Sequence, residues 1–71
     1  MQRFGEKLRT LRQQHGLTMR ELASELEFSS HSYVGRIETG TAKPSIELVV
    51  QVAQFFNVSF DQLMNDDIEL D

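Results

Sequence analysis

Apolar residues recur along this chain at helical spacing, and no segment alternates between apolar and polar positions as a β-strand does. The first helix is predicted over about residues 3–15, where Phe4, Leu8 and Leu11 stand at i, i+4 and i+7 and share one face. Gly16 follows, and glycine takes the left-handed conformation just beyond a helix end more easily than other residues. The pattern therefore predicts a helix that buries one side.

Two more helices are predicted from the next capping residues and apolar positions. Thr18 and Glu21 form a capping-box pattern that begins the second helix. Ser30 is predicted to cap a third helix over about residues 31–39, which Gly40 ends. The apolar positions of these two helices are Leu22, Ala23, Leu26, Tyr33, Val34 and Ile37.

The last two predicted helices lie in the second half of the chain. Ser45 caps the fourth, which continues to about Phe56, and Asn57 ends it because asparagine tolerates the left-handed conformation. Ser59 and Gln62 repeat the capping-box pattern and begin a short fifth helix. The apolar positions of these helices are Leu48, Val49, Val52, Ala53, Phe56, Phe60, Leu63 and Met64.

The fold class predicted by this pattern is all-α, a compact bundle of five short helices. A length of 71 residues allows one domain, which we place at residues 1–65, followed by an acidic tail at 66–71. We expect the chain to be frayed from Asn65 onward. No apolar run is long enough to span a bilayer, and no signal-peptide pattern follows the first residues. We therefore expect a cytoplasmic protein with no membrane partner.

Enzymatic chemistry has no support in the residue types present. The chain has no cysteine, which excludes disulfides, thiolate nucleophiles and cysteine-based zinc sites. Its two histidines, His15 and His31, have no carboxylate pattern around them that would complete a catalytic triad or a metal cluster. The sequence also lacks a glycine-rich phosphate loop. We predict no enzyme activity, no cofactor and no metal.

The formal net charge of −4 argues at first against a polyanionic partner. The charges are unevenly placed along the chain, however. Residues 61–71 hold five acidic residues and no basic one, whereas residues 1–60 hold seven basic and six acidic residues. The body of the protein is thus nearly neutral, and the placement of individual charges must decide the partner.

A set of short motifs stands in a fixed order between residues 17 and 63. The motifs are Leu17-Thr18, Glu21-Leu22-Ala23, Leu26, Arg36-Ile37-Glu38-Thr39-Gly40, Lys43-Pro44-Ser45 and Val58-Ser59-Phe60-Asp61-Gln62-Leu63. Each motif alone is weak, but in this order and spacing they resemble the helix-turn-helix domain of the phage-repressor and Cro superfamily, the XRE family. The resemblance implies a lambda-repressor-like bundle that binds double-stranded DNA as a transcriptional regulator.

The third predicted helix carries the side chains best suited to reading bases. A helix-turn-helix lays its second helix in the major groove, which requires one apolar face and one face of groups that suit base edges. His31, Ser32, Gly35 and Arg36 share the polar face, and arginine can bond guanine O6 and N7 together. The resemblance also implies base contacts at His31, Ser32 and Arg36. We take Arg36 as the principal reader.

Contacts to phosphates would position such a domain without reading sequence. We predict them at the start of the second helix, at the edges of the third and in the loop after it. The candidates are Thr18, Met19, Arg20, Ser30, Tyr33, Thr39 and Lys43. Each of three candidates also has a structural alternative. Thr18 would cap the second helix, Tyr33 would pack in the core, and Lys43 would be an ordinary solvated surface residue.

The resemblance implies a structural role for Arg12 and Glu38, as a buried or half-buried ion pair that ties the first helix to the end of the third. The sequence also has three departures from the family pattern, one of which is Gly35 within the third helix, where glycine costs about 1 kcal/mol relative to alanine. Met19 stands where many members have a glutamine that bonds a phosphate, and Glu27 stands where glycine is usual. Glu27 begins a turn one residue longer than the common form, which leaves open a shift of the third helix by one residue.

A single domain of this size covers too little DNA for useful specificity. We therefore expect a homodimer on a palindromic operator, most simply a repressor. Val50 and Phe55 have no core position to fill and are the candidate dimer surface. Two other functions stay open: a protein-interaction module such as an antitoxin component, and RNA binding, which has less support because exposed aromatic residues are lacking.

Overall fold

Five α-helices make up the protein. The computed structural model describes residues 3–27 and 30–70, and no strand is present within these ranges. The helices are α1 (Phe4–Gln14), α2 (Met19–Glu25), α3 (His31–Glu38), α4 (Ile46–Phe56) and α5 (Phe60–Met64). The predicted all-α bundle is confirmed. None of these five helices has the length and apolar character that a membrane crossing requires.

Most helix beginnings use the predicted capping residues. The hydroxyl of Thr18 accepts from the N–H of Glu21 at 3.0 Å, and the N–H of Thr18 donates to the Glu21 carboxylate at 2.9 Å. Ser45 and Ser59 each accept from the backbone N–H three residues later. Ser30 precedes α3 as expected, but its side chain makes no capping hydrogen bond. Its backbone is more extended, with φ of −158° against −78° to −80° at the other three caps.

Residues in the left-handed conformation follow the helices. Gly16, Gly40 and Asn57 have φ values of 67°, 82° and 55°, as predicted. Glu27, in the turn after α2, has φ of 59°. This conformation costs a residue with a side chain roughly 1–2 kcal/mol. The turn between α2 and α3 therefore carries a small strain at Glu27, and α3 nevertheless begins at His31, where the sequence placed it.

The buried side chains form one hydrophobic core. α2 packs on α3, α1 on α3 and α5, and α4 on α5. Most of the predicted apolar positions are buried, whereas Tyr33, Ala53 and Met64 are half-buried and Phe60 is exposed. The core consists of Phe4, Leu8, Leu11, Leu22, Ala23, Leu26, Val34, Ile37, Leu48, Val49, Val52, Phe56 and Leu63.

A glycine allows α1 to approach the end of α3 closely. A Cβ atom at Gly5 would lie against the carbonyl oxygen of Ile37 and 2.8 Å from that of Glu38. Only glycine fits where two backbones come this near. Sequence reasoning gave Gly5 no role, yet this contact sets the position of α1 against α3.

Residues 65–70 lie against α1 in the structure, whereas the sequence predicted a frayed tail from Asn65 onward. Lys7 is only 2% exposed. Its ammonium group donates to the carbonyl oxygens of Gln62, Asn65 and Ile68 at 2.6, 2.9 and 2.6 Å. Three donors thus meet three acceptors, which makes burial of the charged group tolerable. This arrangement fixes the chain after α5.

Arg3 binds two acidic residues of the segment that follows α5. Its guanidinium donates to both carboxylate oxygens of Glu69 at 2.7 and 3.0 Å and to the carbonyl of Asp66 at 3.0 Å. The bond from Arg3 lowers the pKa of Glu69 below its ordinary value. The acidic residues after α5 are therefore partly neutralised within the molecule, and residues 66–70 follow a defined path. Asp71 lies outside the described residues.

Candidate nucleic-acid interface

α3 has one buried face and one face open to solvent. Val34 and Ile37 are buried in the core, at 0% and 1% exposure. His31, Ser32 and Arg36 are exposed. These three side chains, predicted to read bases, therefore project from the first two turns of α3 into solvent. Gly35 lies on the same face and is half-buried.

The backbone of Arg36 is fixed although its side chain is exposed. Its carbonyl oxygen accepts from the N–H groups of Thr41 and Ala42 at 2.8 and 3.1 Å, so the loop after α3 folds back onto it. The hydroxyls of Thr39 and Thr41 lie 3.1 Å apart and close the same turn. The guanidinium thus extends from a rigid base, and the exposed Lys43 follows in the same loop.

Gly35 and Met19 meet between α3 and α2. A Cβ atom at Gly35 would lie 3.3 Å from the Met19 sulfur. Met19 is half-buried and packs partly against the core. Gly35 leaves room for the Met19 side chain, and its predicted contact with a base stays a prediction.

The predicted phosphate-contacting residues fall into two groups. Arg20, Ser30, Thr39 and Lys43 are exposed. Of these, Thr39 already bonds the carbonyl of Gly35 through its hydroxyl. Thr18 is also exposed but caps α2, while Tyr33 and Met19 are half-buried against the core. The structural alternatives weighed for Thr18 and Tyr33 thus describe real contacts. Phosphate binding by any of these residues stays a prediction.

Arg12 and Glu38 form an ion pair that connects α1 to the end of α3. The Arg12 Nε donates to Oε2 of Glu38 at 2.6 Å, and Nη2 donates to Oε1 at 3.1 Å. The two side chains are 11% and 2% exposed. The hydrogen bonds to Glu38 raise the pKa of Arg12, and burial opposes this rise. A further bond from Nη1 to the carbonyl of Leu17, at 2.9 Å, joins the start of α2 to the same group.

Exposed positive charge is concentrated on the helix-turn-helix. Arg3, Lys7 and Arg12 are engaged inside the molecule, as described above. The remaining four basic residues are exposed, and three of them belong to α2, α3 or the loop that follows α3. The four are Arg9, Arg20, Arg36 and Lys43. The exposed acidic residues Glu21, Glu25 and Glu27 lie on α2 and in the turn after it, so the helix-turn-helix carries no net excess of positive charge, and attraction of an anion depends on where each basic side chain lies.

Metal ligands do not gather near this surface. Across residues 3–27 and 30–70, no group of three or more histidine, aspartate or glutamate side chains is arranged to hold a metal ion.

The geometry described so far defines a helix-turn-helix domain, in which α2, the turn and α3 form the two-helix unit. Residues 8–63 match the helix-turn-helix family. The chain belongs to this family, and the resemblance to its XRE branch is confirmed by the match and by solved structures similar to this chain.

Two solved structures show how far the fold is shared. The N-terminal DNA binding domain of SinR from Bacillus subtilis superimposes with a TM-score of 0.82 at 26% identity, covering 97% of this chain and all of that one. The restriction-modification controller protein C.AhdI from Aeromonas hydrophila gives a TM-score of 0.77 at 30% identity, covering 89% of this chain and 94% of that one.

Curated relatives share the sequence over a similar range. The antitoxin PezA of Streptococcus pneumoniae is 36% identical over 64 residues, which is 90% of this chain and 40% of PezA. The chain spans between 30% and 56% of the length of four of the curated relatives that it matches.

Proposed function

We propose that this protein is a transcriptional regulator that binds double-stranded DNA sequence-specifically, with α3 in the major groove. The observation that carries the proposal is the exposed polar face of α3, on which Arg36 extends from a backbone held by two loop N–H groups. Family membership and the likeness to the SinR DNA binding domain support it. The proposal includes the cytoplasmic location expected from the sequence, because a regulator must share a compartment with its DNA.

The exposed side chains have two roles in DNA recognition: some contact bases and others contact phosphates. Arg36 bonds guanine O6 and N7 in the groove, and His31 and Ser32 make less selective hydrogen bonds to neighbouring base edges. Arg20 and Lys43 attract the phosphates on either side, which fixes the register of α3 without reading sequence. The Arg12–Glu38 pair takes no part in DNA contact and holds α3 at its angle to α1.

We further propose that the protein acts as a repressor, as a homodimer on a palindromic operator. Val50 and Phe55 are each 39% exposed, as the dimer surface requires. Five residues of helix separate them by about 140° around α4, so they occupy opposite flanks. Ile46, 60% exposed, stands one turn before Val50. We therefore propose a two-fold contact centred on the Ile46–Val50 flank, where two exposed apolar side chains adjoin.

A second candidate function is supported by one observation. The chain matches the antitoxin PezA over 90% of its own length. In that case the protein would bind both DNA and a protein partner, and the partner would bind to surfaces away from α3.

Replacing Arg36 with alanine tests the proposal. Duplexes selected from a random library by the wild-type protein serve as the ligand, and fluorescence anisotropy measures binding to the selected and to a scrambled duplex. We expect Arg36→Ala to bind the selected duplex roughly 5- to 150-fold more weakly and to lose most of its preference over the scrambled one. The affinity should also fall steeply as salt rises, because bound counterions are released from the phosphates.

Arg9→Ala is the matched control, since Arg9 is an exposed arginine on α1. This variant should keep the wild-type preference between the two duplexes. If Arg36→Ala discriminates as well as the wild-type protein, α3 is not the reading helix.

A further inference from the structure

The polar face of α3 has a gap at its centre. At about 100° per residue, position 35 lies between His31 and Ser32 around the helix. Because this residue is glycine, no side chain of α3 fills that place. His31 and Ser32 therefore flank a position where the α3 backbone itself would be uncovered, and Arg36 lies beyond Ser32 on the same face.

A side chain from α2 occupies this gap. The sulfur and the methyl carbon of Met19 lie 3.3 and 4.0 Å from the point where a Cβ of Gly35 would stand. Met19 is half-buried, so part of it also reaches solvent. The thioether thus takes the place of a side chain at position 35, and a single apolar group is set among polar ones on the surface proposed to enter the groove.

We infer that the Met19 thioether, laid over Gly35, contacts the C5-methyl group of a thymine in the operator. This inference rests on the proposed function, that α3 lies in the major groove. The thymine methyl is the apolar group that base pairs present in that groove, and its recognition is by apolar contact. Methionine is flexible and polarizable, which suits contact with a small apolar group. The Met19 side chain reads a base in this arrangement, which leaves its backbone N–H for the predicted phosphate contact.

Uracil substitution in the DNA isolates this contact. Each thymine of the selected duplex is replaced in turn by uracil, which removes the C5-methyl and leaves the pairing and hydrogen-bonding groups unchanged. We expect one thymine in each half-site to weaken wild-type binding by about fourfold when replaced, the value for one buried methyl-sized group. The other thymines should show smaller effects.

Variants at position 19 assign the effect to the thioether. Met19→Leu keeps an apolar side chain and should retain the thymine preference at that position, whereas Met19→Gln should bind the thymine and uracil duplexes equally. Met64→Gln is the matched control, since Met64 is also half-buried but lies on α5. It should keep the wild-type ratio. Circular dichroism confirms that each variant is folded, and the ratio between two duplexes is insensitive to partial loss of active protein.

The outcomes separate the inference from the function on which it rests. The inference is wrong if the wild-type protein shows no thymine preference, or if Met19→Gln keeps that preference. The proposed function still stands in either case, provided that Arg36→Ala loses discrimination between the selected and the scrambled duplex. An equal loss of the ratio in Met64→Gln also overturns the inference. If the wild-type protein prefers no duplex at all, both fail.

Discussion

Replacing Gly5 with alanine is expected to destabilise the protein by about 3 kcal/mol or more, at the upper end of the usual cost of overpacking. The added methyl would meet the carbonyl oxygens of Ile37 and Glu38, and backbone atoms cannot turn aside as a flexible side chain can. A chain of this length has a total stability of roughly 4–10 kcal/mol. Thermal unfolding followed by circular dichroism should show a decrease in Tm of about 12–24 °C.

Gly35→Ala is the control for this prediction. The added methyl would there meet the end of the Met19 side chain, which can move by a few tenths of an ångström. Alanine also gains about 1 kcal/mol over glycine within a helix. The variant should therefore unfold within a few degrees of the wild-type protein. A Tm of Gly5→Ala equally close to wild type would show that α1 and α3 do not pack as tightly as described.

Replacing Glu38 with glutamine is expected to cost about 3–5 kcal/mol of the free energy of unfolding. Glutamine keeps the size of the side chain but removes the charge, and the guanidinium of Arg12 would stay mostly buried without a counter-ion. Its remaining bond, to the carbonyl of Leu17, does not offset the loss of a bidentate carboxylate. Urea unfolding at neutral pH measures the difference.

A paired replacement separates the lost charge from lost packing. Arg12→Met combined with Glu38→Leu removes both charges and should recover most of the stability, because apolar residues of similar size often replace buried ion pairs without loss. Glu25→Gln, at an exposed position on α2, should change stability by no more than about 0.5 kcal/mol. If Glu38→Gln is as stable as Glu25→Gln, the ion pair does not hold α3 in place.

The helices and most of the core could be predicted from the sequence because their signals are local. Capping boxes join residues three apart, and an apolar stripe repeats within a single helix. Ser30 shows the limit of such signals. Its residue type and position suit a cap, but the conformation of its own backbone leaves the hydroxyl unused.

Long-range contacts account for what the sequence did not predict. Lys7 stands beside Leu8 on the buried side of α1, which was the available signal that it is buried, but its acceptors lie 55 to 61 residues away. No local pattern identifies three backbone carbonyls as the partners of a lysine. Gly5 likewise depends on the backbone of α3, which only the packed fold brings to it.

The candidate site was predictable in part for the same reason. Helical spacing alone places His31, Ser32 and Arg36 on one exposed face. The sequence showed two unusual residues separately: Met19 is apolar at a position where many family members have glutamine, and Gly35 is a glycine within a helix. Their contact joins two helices and depends on how α2 crosses α3, so the spacing of residues within one helix cannot predict it.

Chemical-shift mapping of ¹⁵N-labelled protein titrated with the selected duplex tests most directly whether α3 enters the groove. The largest changes should fall on His31, Ser32 and Arg36, with further changes at Met19 and in the loop 39–43. Residues 62–70, held against α1, should change little. If the largest changes fall on residues 62–70 while α3 is unaffected, α3 does not read the DNA.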